Sequence, residues 1–139
     1  MIQSNPPYYD ITSAAQILGK EICDVLPFMY AFSGCDIVSS FFSKSKYKAW
    51  DVWQQSKQKD ELSLFFSELG KEPNDITSTQ IDKLEKYVLD LYNIREDTLA
   101  KGRMDRFEMS TDNDIRKLPP CKDALLQHTK RACYQAGFL

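Results

Sequence analysis

Residues 26–36 read Leu26-Pro27-Phe28-Met29-Tyr30-Ala31-Phe32-Ser33-Gly34-Cys35-Asp36. An apolar run delivers a turn of small residues and then a carboxylate at the end of a rigid element. With Ile22 and Val25 upstream, residues Leu26, Met29 and Phe32 recur at helical spacing, while Pro27 opens a second helix or kinks one. A break near Leu26-Pro27 is the reading preferred. Ser33-Gly34 marks the turn, and Asp36 suits the N-cap of a helix over 37–42.

Working outward, helical periodicity dominates both flanks. Thr12 or Ser13 can cap a short helix through Ala14, Ala15, Ile17 and Leu18, with Gly19 at the stop. Before it, Pro6-Pro7 and Tyr8-Tyr9-Asp10-Ile11 suggest one short N-terminal strand. Downstream, a helix over 47–55 follows Ser43-Lys44-Ser45-Lys46. Leu62, Phe65, Phe66 and Leu69 then form an apolar stripe stopped by Gly70. Thr77 and Gln80 make a capping box, with Ile76 placed to staple onto Ile81, and that helix runs to about Tyr92. Residues 94–117 lose the pattern among charged residues and read as a loop or partly disordered insertion. Pro120 suits the first turn of a last helix whose apolar side is Leu125, Ala132, Cys133 and Ala136. The fold class is mainly α.

At 139 residues and 42% hydrophobic content the chain fits a single helical domain, 1–139, with one core. Eighteen Lys and Arg against twenty Asp and Glu give a net charge of -2, so attraction to phosphate must come from a local patch. Cys23, Cys35, Cys121 and Cys133 lack the close pairing of zinc sites and read as buried thiols in a reducing, intracellular setting, the nucleus included. No apolar run approaches the roughly 20 residues that span a bilayer, so no membrane partner is expected.

Few residues carry chemistry. Asp36 is a helix cap or a ligand position, two roles compatible in geometry. Lys44, Lys46 and Lys48 lie beside Tyr47 and Trp50, a mixture suited to phosphates and bases and equally to a solvated turn. Lys130 and Arg131 add positive charge to the last helix. His128 reads as a packing residue, since no nucleophile motif accompanies it. Trp50 and Trp53 share one helix face, as core or as a surface for a protein partner or a homodimer.

The Gly34-Cys35-Asp36 segment resembles that of flap-endonuclease-like members of the PIN-like nucleases. The whole chain is similar to an uncharacterised family of transposon-derived invertebrate proteins. Members share Leu-Pro...His-Ala-Phe-Thr-Gly-Cys-Asp-Thr, a Gly-Lys-Gly-Lys-Lys turn with Ala-Trp, and a closing Leu-Pro-Pro-Thr...Leu-Leu-Gln-His-Thr-Lys-Arg-Ala-Ala-Tyr-Gln-Ala-Gly. Here those segments fall at 26–37, 41–50 and 118–137, with Tyr30 in place of histidine and Ser43 and Ser45 in place of glycines.

The resemblance implies the helical C-terminal portion of a PIN-like domain, a fragment of something longer. It implies Asp36 as one of several carboxylates holding Mg or Mn, and DNA or RNA as partner. Such nucleases take their other carboxylates from strands upstream, and nothing before Tyr8 supplies them. The expectation is therefore an incomplete or inactive metal-dependent nuclease. The other reading is a non-catalytic helical module that binds nucleic acid or protein.

Overall fold

The computed structural model describes residues 8–35, 38–71, 75–112 and 114–137. Seven α-helices lie among them: α1 (Ile11–Leu18), α2 (Lys20–Phe32), α3 (Lys46–Gln55), α4 (Lys59–Lys71), α5 (Ser78–Leu91), α6 (Leu99–Met109) and α7 (Lys122–Ala136), with a 3-10 turn at Ile115–Lys117. No strand forms among the described residues. Tyr8 and Tyr9 are exposed beside Asp10, whose side chain accepts from the Ser13 N–H and so caps α1 two residues earlier than Thr12. Without a partner strand, extended aromatics at this end have no ladder to join.

α2 is the central element and packs chiefly on α4 and α7. Val25, Phe28, Met29, Ala31 and Phe32 are buried along it. The expected break at Pro27 is absent, and the helix runs through. Proline removes the hydrogen bond to the carbonyl four residues back, but Val25 and Phe28, wholly buried on either side, hold both halves against the core. Phe28 stacks on Phe32 with centroids 5.2 Å apart and meets Phe66 at 5.1 Å, and Phe32 also contacts Phe41, Tyr87 and His128. These rings join α2, α4, α5 and α7 into one aromatic spine, worth more than its buried area because tilted and edge contacts suit the ring quadrupoles.

The expected stripe on α4 is buried, but Gly70 does not stop it. The last turn continues to Lys71, with Gly70 close against the Phe28 backbone. α5 begins at the expected capping box, Thr77 with Gln80. Its end is a Schellman turn. Asn93 takes a left-handed φ of 55°, its N–H bonds the Asp90 carbonyl, and the Ile94 N–H bonds the Leu89 carbonyl. Ile94 is buried, which aims the chain back across α5.

That return is what makes α6, and it corrects the expected loop over 94–117. Only Leu99 and Gly102 of α6 are buried, so no apolar stripe announces the helix. Contacts from elsewhere build it. Thr98 caps it through the Lys101 N–H, and the buried Glu85 carboxylate on α5 accepts the Leu99 N–H at 2.5 Å. Arg106 donates to the Tyr92 carbonyl at 2.6 Å, and Arg103 donates to the Pro119 carbonyl. A Cβ on Gly102 would lie 2.8 Å from Leu89 Cδ2, so any larger residue there would push the buried Leu89 side chain aside. In α7 the expected apolar side is buried, and Pro120 precedes the N-cap, Cys121, rather than entering the first turn.

Candidate functional site

The Gly34-Cys35 turn is built by close backbone approach. Gly34 has φ 110°, and a Cβ there would stand 2.6 Å from Ser40 Cβ and 2.8 Å from Ser40 Cα. Cys35 and Val38 exchange two backbone hydrogen bonds, of 2.8 and 3.2 Å. Asp36, the candidate ligand or cap, lies with Ile37 outside the described residues. The helix expected over 37–42 is absent at 38–42, which form this bridge and a turn instead, with Phe41 buried and Phe42 exposed.

The lysine turn divides into three different fates. Lys46, expected as a phosphate contact, is occupied as a helix cap. Its ammonium donates to the Tyr30 carbonyl at 2.7 Å, to Ser33 Oγ at 3.1 Å and to the Gly34 carbonyl, and sits 3.9 Å from the Tyr30 ring centroid. Its three donors meet three acceptors at the negative end of α2, which leaves none for a ligand. Lys44 is different. Its ammonium is half-buried, 4.9 Å from the Tyr92 ring centroid, and among the described residues that ring is its one partner. Burial pushes its pKa below the ordinary lysine value, and the nearby positive charges of Arg106 and Lys48 push the same way. Lys48 is exposed on the first turn of α3.

The two serines of this turn behave oppositely. Ser43 takes a left-handed φ of 57°, a conformation that favours glycine, and it lines the same cavity as Lys44. Ser45 gains a role that glycine fills less well. It is the N-cap of α3 and accepts the Lys48 N–H at 3.1 Å.

Three cavities surround these cations. The first, about 450 Å³, is walled by Lys44, Arg106, Tyr92, Phe42 and Met109, together with Asp112 and Asp114. Both carboxylates are already engaged. Asp112 is held far below the usual carboxylate range by Lys117, by the Asp114 N–H and by Ser110, and Asp114 is lowered by Arg116 at 3.0 Å. The second cavity, about 640 Å³, begins at Lys48 and includes Lys57, Lys86 and Arg95 with Asp51 and Asp90. Lys86 faces Asp90 at 3.5 Å, and Gln55 donates to Asp51. Arg106, Lys44 and Lys48 therefore connect two clefts in one basic line. Lys130 and Arg131 stand apart, exposed on α7 over a third cavity of about 340 Å³ with Val38, Gln127 and Tyr134.

Arg106, Arg95, Lys57 and Lys86 were not found from the sequence. Arg106 fell in the segment read as a loop, where the one usable signal was Thr98 ahead of the apolar Leu99. His128 is the expected packing residue. It is buried between Phe32 and Phe41, and its Nε2 donates to the Phe32 carbonyl at 2.7 Å, the only role open against an acceptor. Trp53 is wholly buried with Trp50 half-buried 4.7 Å away, which places that pair mainly in the core. Cys133 is buried and its thiol is pushed up to about 11 by burial, whereas Cys121 is exposed, contrary to the expectation for the cysteines as a set.

Magnesium needs several hard oxygen ligands converging on one point. Among the described residues no group of three His, Cys, Asp or Glu side chains converges so, and the Asp112 and Asp114 carboxylates are held by cations. Among the described residues, no helix is long and apolar enough to cross a membrane. Compared with known proteins, the chain matches no family model, no curated protein and no solved structure.

Proposed function

We propose that this chain is a helical module that binds the sugar-phosphate backbone of a nucleic acid, descended from the helical C-terminal part of a PIN-like, flap-endonuclease-like protein of transposon origin. The observation that carries the reading is the line Arg106, Lys44, Lys48, which has no ion pair among the described residues and opens at its Lys48 end onto Lys57 and Arg95. Like charges at this spacing repel, and Lys44 is partly desolvated as well. A polyanion laid along the line relieves both costs. The chain's overall charge of -2 sharpens the point, since the rest of the surface does not share this excess.

The test is anisotropy with labelled single-stranded and duplex oligonucleotides across a salt series. Binding should weaken with salt, and each of Lys48→Ala and Arg95→Ala should flatten the logarithmic slope by about 0.7 to 0.9. Salt-independent binding, or none at low ionic strength, refutes the reading. A cleavage assay with Mg or Mn runs beside it. Hydrolysis lost in Asp36→Asn would replace the module with a working nuclease.

A further inference from the structure

We infer that the cavity between Lys44 and Arg106 is a phosphomonoester site, taking the terminal phosphate of a nucleotide with its base against the apolar wall of Phe42 and Met109. The inference deepens the nucleic-acid reading and rests on it for the source of the phosphate.

Two cations line this cavity, and both are referenced to one residue. Lys44 lies over the Tyr92 ring while Arg106 donates to the Tyr92 carbonyl, so neither is free to swing away. Arg106 spends one N–H on that carbonyl and keeps a planar fork of further donors. A phosphodiester carries one charge. A phosphomonoester carries about 1.5 to 2 at pH 7, because its second pKa is about 6, and so it matches two facing cations. The Asp112 and Asp114 carboxylates that also line the cavity are already paired with Lys117 and Arg116, so the charge of Lys44 and Arg106 is left for the phosphate.

The remainder of the space suits what is attached to that phosphate. At about 450 Å³ the cavity lies within the roughly 300–1,000 Å³ of small-ligand sites. Arg116 lies over the Phe42 ring with its guanidinium carbon 5.3 Å from the centroid, yet it is not among the residues lining the cavity. The Phe42 ring thus carries a cation and also forms part of the cavity wall. Met109, exposed at the end of α6, supplies the adaptable part of the same wall. A phosphate held by the two cations in a cavity with a flat apolar wall describes a nucleoside monophosphate better than inorganic phosphate.

Calorimetry with the whole chain tests this, using a nucleoside 5'-monophosphate, the nucleoside and inorganic phosphate in turn. The monophosphate should bind more tightly than either fragment, and the affinity should fall below about pH 6 as the phosphate takes up a proton. Lys44→Met should weaken it about ten- to a hundredfold, the worth of one charge-assisted hydrogen bond, while Lys130→Met leaves it unchanged. Thermal melting of Lys44→Met should match the parent, which separates lost binding from lost folding. Oligonucleotides with and without a terminal phosphate distinguish the sources. Tighter binding of the phosphorylated ends, lost with Lys44, supports a strand terminus. Monophosphate binding without any oligonucleotide binding keeps the site and assigns it to a free nucleotide, and it is the backbone reading that fails. Oligonucleotides that bind with the expected salt dependence but indifferent to end phosphate, together with no binding of the monophosphate, overturn this inference and leave the backbone reading standing. Nucleoside and monophosphate binding equally also overturns it.

Discussion

Replacing Glu85 by alanine should loosen α6 before it unfolds the protein. The Glu85 side chain is 7% exposed and accepts the Leu99 N–H at 2.5 Å, and Leu99 is wholly buried. Truncation leaves that N–H without a partner in a dry position, which costs about 1–3 kcal/mol. It also removes a negative charge from the N-terminus of α6, about 0.3–1 kcal/mol more. The Lys122 contact at 3.5 Å adds little, because Lys122 is half exposed and keeps Asp82 at 2.6 Å. The total is about 1.5–4 kcal/mol. At 11 residues α6 is shorter than the roughly 12–15 that make an isolated helix even marginal, so the loss should fall on it locally. Urea unfolding followed by circular dichroism gives the global cost, and hydrogen exchange at the α6 amides gives the local one. Glu85→Gln, which keeps an acceptor, should lose about 1 kcal/mol or less. If Glu85→Ala stays within about 0.5 kcal/mol of the parent and the α6 amides exchange as before, the account of α6 as a helix held by its neighbours is wrong.

Gly34→Ala should cost more than about 2 kcal/mol, from a left-handed alanine and a Cβ 2.6 Å from Ser40, and a melting temperature near the parent's would refute the close approach. His128 gives a pH dependence of known sign. Burial lowers its pKa below the ordinary value despite the Phe32 hydrogen bond, and the Arg131 charge lowers it slightly further. The unfolded chain therefore binds the proton more readily, so this contribution to stability is intact above about pH 6.5 and is lost as pH falls toward the folded-state pKa. Unfolding free energies from pH 8 to 5 should show that decline, and His128→Gln should flatten it. Lys46→Met should lower stability by about 1 kcal/mol through the α2 cap while changing oligonucleotide affinity less than twofold, and an affinity loss like that of Lys44→Met would return Lys46 to the interface.

How legible each element was follows from where its stabilisation comes from. α5 is written locally, in a capping box and a regular apolar face; its start was read to the residue, and its end, expected at about Tyr92, falls at Leu91 with Tyr92 as the C-cap. α4 and α7 show their faces as clearly. α6 is written elsewhere, in a carboxylate on α5, a Schellman turn and a glycine contact, none of which leaves a period in the segment itself. Pro27 misled for a related reason. The local rule says break, and the aromatic spine overrides it. The site followed the same division. Lys44 and Lys48 were visible as a basic run, but the run could not reveal that Lys46 between them is turned inward to cap α2. Arg106 was invisible until α6 placed it beside Lys44.

Tyr92 closes α5, carries Lys44 on its ring and holds Arg106 through its carbonyl. Three separate stretches of chain are thus gauged against one residue at the last turn of one helix. An anion bridging the two cations acts as a clasp across that junction, and a clasp resists local opening there. Occupancy should therefore appear as protection of the 94–112 backbone from a protease, in proportion to ligand concentration, even where the melting temperature hardly moves.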